Sequence, residues 1–94
     1  MPYINKEQRK EIEDELLSLV KEMKFEEGEM NYIITFLLHE FVIQNGLCYK
    51  TLNSAVGILE CSKEEFVRRV VSPYEDLKIM QNGSISELDK EKLW

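Results

Sequence analysis

Between Met30 and Ile43, ten of fourteen positions are apolar: Met30, Tyr32, Ile33, Ile34, Phe36, Leu37, Leu38, Phe41, Val42 and Ile43. No alternation of period two runs through the segment, so it does not read as a half-buried strand. Its longest apolar stretch, Tyr32 to Leu38, is interrupted by Thr35 and followed by His39 and Glu40. That is far short of the roughly 20 residues that span a bilayer. As a helix the segment is apolar on most of its circumference. Such a helix is either central to a fold or buried against a second subunit. The rest of the chain has to be arranged around that requirement.

Helical signals flank this segment on both sides. From Lys6 to Phe25, Ile12, Leu16, Leu19 and Met23 step by four, three and four, one stripe of a helix. Asn5 is its expected N-cap, and the acids Glu7 to Glu15 crowd the end that the helix dipole favours. Glu26-Glu27-Gly28-Glu29 reads as a connector, and the second helix as Met30 to Asn45, stopped by Gly46. Leu47 to Lys50 reads as a linker, with a third helix from Thr51. That helix either runs unbroken to Val71 or breaks at Cys61-Ser62, where Ser62-Lys63-Glu64-Glu65 is a capping box. Ser72-Pro73-Tyr74-Glu75 is a second box, predicting a short fourth helix that ends at Asn82-Gly83. The expected architecture is all-α: a small bundle of three main helices plus a short fourth, assembling as an oligomer. Residues 1–83 form the single helical domain, and 84–94 a polar, loosely held C-terminal tail in which Ser86 could cap one last turn.

A chain of 94 residues has room for one core. With 44% hydrophobic and 32% charged residues it is neither disordered nor collagen-like. Its net charge of −6 argues against non-specific DNA or RNA binding, which depends on neutralising phosphates. Residues 1–47 hold five basic and ten acidic side chains, and residues 48–94 seven and eight. The second half therefore carries the near-neutral surface and the adjacent pair Arg68-Arg69. The N-terminus lacks a charged stretch followed by an apolar run, so no signal peptide is expected. No membrane association is expected either. Cys48 and Cys61 form no C-x-x-C motif, which points to two reduced thiols in a cytoplasm rather than a zinc site.

Catalytic chemistry finds little support. His39 is the single histidine and lies in the apolar helix. Glu60 and Cys61 are sequence neighbours, whose side chains diverge by about 100° on a helix, and no histidine stands near to activate the thiol. There is no H-E-x-x-H, calcium loop, phosphate loop or G-x-S-x-G elbow. The reading is of no enzyme, no cofactor and no metal. A binding site is easier to build. Within Arg68 to Lys78 lie Arg68, Arg69, Tyr74, Glu75, Asp76 and Lys78. Arg grips phosphate, Tyr offers a stacking face, and carboxylates accept from base amino groups. Tyr49 and Asn53, near the start of the third helix, add a second ring and an amide. The competing reading is that both arginines pair with Glu64, Glu65 or Glu75, that Tyr74 is half-buried, and that nothing binds.

Several blocks occur in a recognisable order. They are Pro2-Tyr3-Ile4, Met30-Asn31-Tyr32 with Ile34-Thr35, Tyr49-x-Thr51-Leu52-Asn53, Gly57-x-Leu59-Glu60-Cys61, Arg68-Arg69-Val70 and Pro73-Tyr74-Glu75-Asp76-x-Lys78-Ile79, closing on Asn82-Gly83. Over residues 2–83 this pattern resembles a family of small helical proteins of phages and bacteria. It is similar to the oligomeric anti-CBASS sponges, phage proteins that sequester cyclic nucleotide signals of bacterial immunity. The resemblance implies an immune-evasion protein that binds a cyclic dinucleotide such as cyclic GMP-AMP without cleaving it, in the host cytoplasm. With it comes an expected ligand set of Arg68, Arg69, Tyr74, Glu75, Asp76, Lys78, Tyr49 and Asn53 at the interface of a dimer or tetramer. The alternative is an acidic helical protein–protein module, an inhibitor or adaptor without a small-molecule ligand.

Overall fold

The structure, a computed structural model, describes residues 4–90. Pro2 and Tyr3 of the first sequence block and residues 91–94 of the tail lie outside the described residues. The chain is all-helical, with no strand among the described residues. Its elements are α1 (Lys6–Glu22), α2 (Glu27–Asn45), α3 (Tyr49–Phe66), a π-helical turn (Val67–Val71) and α4 (Ser72–Asn82). They fall into two compact units, Met1–Ala55 and Val56–Trp94, with the division inside α3.

In the first unit, α1 begins as a reciprocal capping box. Asn5 Oδ1 accepts from the Gln8 N–H at 2.9 Å, and Gln8 Oε1 accepts from the Asn5 N–H at 3.0 Å. The helix stops at Glu22, three residues before the predicted end. Phe25 sits at φ 59°, a left-handed backbone no α-helix accommodates. The cause is Glu29. Its carboxylate accepts from the N–H groups of Lys24 and Phe25 at 2.7 and 3.0 Å, tying the connector to the first turn of the next helix. The acids read as connector are therefore helical, and α2 starts at Glu27 rather than Met30. There Glu27 and Glu29 meet the positive end of the dipole. Gly46 ends α2 at φ 94°, as its position after Asn45 predicts.

The third helix also starts earlier than expected, at Tyr49. Cys48 stands just before it, accepting the first helical bond from the Leu52 N–H at 3.0 Å. In the second unit neither predicted serine cap forms. Ser62 lies inside α3, and Ser72 has helical angles (φ −63°, ψ −46°) with no side-chain cap. The Ser72 N–H instead reaches back five residues to the Val67 carbonyl, so α3 passes into α4 through the π turn. Pro73 supplies the reason. It lacks an N–H, and its ring collides with the carbonyl one turn back in an ordinary helix. A widened turn just upstream relieves that collision without stopping the helix. The expected short fourth helix is thus the continuation of the third.

Gly83, at φ 86°, closes α4. The described part of the tail carries a hydrogen-bonded turn. The Asp89 carboxylate accepts from the N–H groups of Ile85 and Ser86, and Ser86 Oγ accepts from the Leu88 N–H at 3.1 Å. Those two amide bonds hold the Asp89 carboxyl below its ordinary value.

Burial departs most from expectation. Among the described residues only Thr51 and Ala55 are buried. Neither α1 nor α2 buries any residue. The apolar stripe of α1 is exposed at Ile12, Leu16 and Leu19, and α2 exposes Met30, Tyr32, Ile34, Phe36, Leu37 and Ile43.

Two predictions follow from these local features. Pro73→Ala should change unfolding stability by less than about 1 kcal/mol at fixed protein concentration. A proline clashing in an ordinary helix interior costs about 3 kcal/mol, and its removal would return that amount. A gain of that size in chemical denaturation would contradict the role given to the π turn. For Asp89 the lowered native value means that the turn is stabilised above the ordinary aspartate pKa. That contribution is lost as pH falls through the native value. The Ile85 and Ser86 amide resonances should report one titration with its midpoint below 3.8, the ordinary value. A midpoint at or above it would remove the bond pattern.

Candidate functional site

The eight residues singled out in the sequence lie on three helical segments. Tyr49 and Asn53 stand one turn apart in the first turns of α3, within the first unit, and both are exposed. The other six belong to the second unit. Arg68 and Arg69 occupy the π turn, and Tyr74, Glu75, Asp76 and Lys78 lie on α4. The structure thus keeps Tyr49 and Asn53 in a different unit from the arginines.

Glu65 organises the arginine pair. Its Oε1 accepts from Arg68 Nη2 at 2.7 Å, and Arg69 Nε stands 2.9 Å from its Oε2. The second contact is an ion pair without the alignment of a hydrogen bond, on an oxygen withdrawn from solvent. The Glu65 side chain is only 19% exposed, whereas Arg68 and Arg69 remain 68% and 58% exposed. One shielded carboxylate therefore holds two guanidinium groups that stay open to water. This realises the pairing named as the competing reading, with Glu65 as the partner.

Local geometry explains how two neighbouring arginines reach one acceptor. Glu65 lies three residues before Arg68 and four before Arg69, the spacings that face each other on a helix. The π turn begins just between, at Val67.

On α4, Tyr74 is exposed rather than half-buried. The Lys78 ammonium lies 5.4 Å from the centre of its ring, one turn along, a cation–π contact. Lys78 also donates to Gln81 Oε1 at 3.4 Å. Glu75 and Asp76 are exposed on the same helix. Sequence reasoning passed over Glu65 as a site residue because an acid three and four positions from two arginines reads as an ordinary surface pair. Its near burial is visible only in three dimensions.

The remaining chemistry is sparse. Among the described residues no group of three or more His, Cys, Asp or Glu side chains is placed to hold a metal. Glu60 pairs with Lys63 at 3.1 Å, which raises the lysine pKa. His39 is exposed on α2 and Cys61 is half-buried. Cys48 is exposed, with its Sγ 3.3 Å from Thr51 Oγ1. Hydrogen bonds from the Thr51 side chain and backbone hold its pKa below the ordinary thiol value.

Residues 1–85 match the model of a family described as Domain of unknown function (DUF6899). The match spans most of the chain, from α1 through the end of α4, and the protein belongs to that family. No curated protein and no solved structure matches it. No described helix is long and apolar enough to cross a membrane.

The thiol geometry gives a direct test. Cys48 should be carboxymethylated with an apparent pKa below 9.0, the ordinary thiol value, and faster than Cys61 at neutral pH. Thr51→Val removes the hydroxyl and should move that profile upward. Equal rates at the two cysteines, or a profile indifferent to Thr51, would discard the contact.

Proposed function

We propose that this protein is a non-catalytic, homo-oligomeric binding protein that sequesters a cyclic dinucleotide such as cyclic GMP-AMP. Several copies together assemble a helical bundle. The observation that carries the reading is the arginine pair on the π turn, two solvent-open guanidinium groups steadied by one shielded carboxylate. Arg is suited to phosphate because its planar fork makes paired charged bonds. A carboxylate that fixes its orientation beforehand lowers the entropy lost on binding. The sequence resemblance supplies the ligand class.

Symmetry links the ligand to the assembly. A cyclic dinucleotide carries two phosphates and two bases in a near-symmetric ring. A two-fold axis between subunits presents every residue twice, so an arginine from each chain meets one phosphate. Tyr74, or Tyr49, from each chain stacks on one base, worth about 1–3 kcal/mol per base. Glu75, Asp76 and Asn53 supply hydrogen-bond acceptors and an amide for the base edges. The net charge of −6 repels a dianion at long range, so attraction has to come from the cationic side chains Arg68, Arg69 and Lys78. The proposed place of action is the cytoplasm, that of the host for a phage-encoded chain.

Micromolar cyclic GMP-AMP should raise the unfolding temperature by mass action on the folded state. The nucleotide should be recovered intact by chromatography after denaturation. In calorimetry Arg68→Ala or Arg69→Ala should weaken binding by more than tenfold with the oligomer preserved. One of the two should dominate, because adjacent side chains diverge. A panel of cyclic nucleotides without thermal effect would instead favour the acidic protein–protein module. Linear product at catalytic turnover would refute a sponge.

A further inference from the structure

We infer that the segment between α1 and α2 is a two-state latch. The Glu29 carboxylate holds open a break in what is otherwise one continuous helix from Lys6 to Asn45, and the chain passes into that helix when the carboxylate lets go. The inference does not rest on the proposed ligand.

The residues at the break do not themselves demand it. Met23, Lys24, Phe25 and Glu26 separate the two helices, and none of them is Gly or Pro. Met, Lys and Glu are good helix formers, and Phe is tolerated. The apolar period also crosses the break in phase. Ile12, Leu16, Leu19 and Met23 step by four, three and four; Met30 follows Met23 by seven, and Ile33 and Leu37 follow by three and four. Seven residues make close to two helical turns. The stripe of α1 and the row Met30, Ile33 and Leu37 of α2 therefore share one face when the residues between them are helical.

The helix ends at the break are weakly capped. Glu26 precedes α2 without a side-chain cap, and α1 runs out at Met23 in extended backbone (φ −84°, ψ 146°). Helix ends leave N–H and carbonyl groups without intrahelical partners, and fusing the two helices would satisfy both sets. Against this stands the Glu29 carboxylate, accepting from the Lys24 and Phe25 N–H groups at 2.7 and 3.0 Å. Such charged hydrogen bonds are strong. They hold Phe25 at φ 59°, which is strained for a residue with a Cβ. The Phe25 side chain is 56% exposed, so its burial offsets little of that strain.

Two further features favour the break. In a continuous helix Glu26 would face Glu22 and Glu29, at four and three residues, and like charges at these spacings repel. Gly28 would lie deep in a helix interior, where glycine is a poor former. The balance is thus between one carboxylate with these two small terms on one side, and strain with uncapped helix ends on the other.

The test reads backbone chemical shifts of the full chain without nucleotide. In the parent, Lys24, Phe25 and Glu26 should give non-helical Cα shifts. Glu29→Ala removes the acceptor and leaves a good helix former, and should move the Cα shifts of Met23 to Glu26 to helical values. Adding Phe25→Gly to that variant removes the strain that drives the conversion and should return the connector to non-helical shifts. If Glu29→Ala loses helicity throughout, Glu29→Gln is read in its place. Its amide oxygen makes bonds roughly half as strong as a carboxylate's, so the connector should show a larger helical population than the parent. Helical shifts in the parent, a connector that stays non-helical in the variant read, or one equally helical with and without Phe25→Gly would each overturn the proposal.

Discussion

The interaction on which this structure turns is the contact between water and the apolar side chains of α2. Burying a large aliphatic or aromatic side chain contributes about 1.5–3 kcal/mol. Helix propensity alone leaves isolated segments of this length marginal. Among the described residues only Thr51 and Ala55 are buried. The capping box at Asn5, the Glu29 tie, the Gly46 stop and the Asp89 turn are local devices. They decide where each helix begins and ends, but none supplies a core.

The arginine pair shows the same economy at smaller scale. A single half-hidden carboxylate sets the position of two cations on one turn of helix. Exposed ion pairs contribute little stability because water screens them and long side chains lose entropy. Their value at this place is orientation. A guanidinium steadied by Glu65 samples fewer conformations than a free one.

Much of the helical order was legible from residues. Asn5 and Gly46 act as the sequence suggests, and Asn82-Gly83 ends α4 where expected. The acidic run Glu26 to Glu29 misled because such a cluster with a glycine resembles a loop. The fact that matters, the carboxylate of Glu29 reaching back to two amides, depends on a backbone geometry that spacing does not reveal. Ser72-Pro73 misled differently. Serine before proline usually marks a fresh helix start, and only a five-residue hydrogen bond lets the chain pass through it. The six candidate residues from Arg68 to Lys78 fall within one unit, as their closeness in sequence suggests, while Tyr49 and Asn53 fall in the other. Glu65 was hidden among surface acids.

A π turn amounts to one residue inserted into an α-helix, and an insertion changes phase. Each residue added to a helix advances the azimuth by about 100°. Side chains after Val71 therefore lie on a different bearing from the one that the stripe of α3 would extrapolate to. Tyr74 and Lys78 owe their direction to that offset as much as to their own positions. A one-residue deletion within Val67–Val71 could leave an uninterrupted helix of similar composition, yet it would swing the whole of α4 round by more than a quarter-turn. In such a chain the length of this short segment, rather than its chemistry, determines which way the ring and the ammonium face.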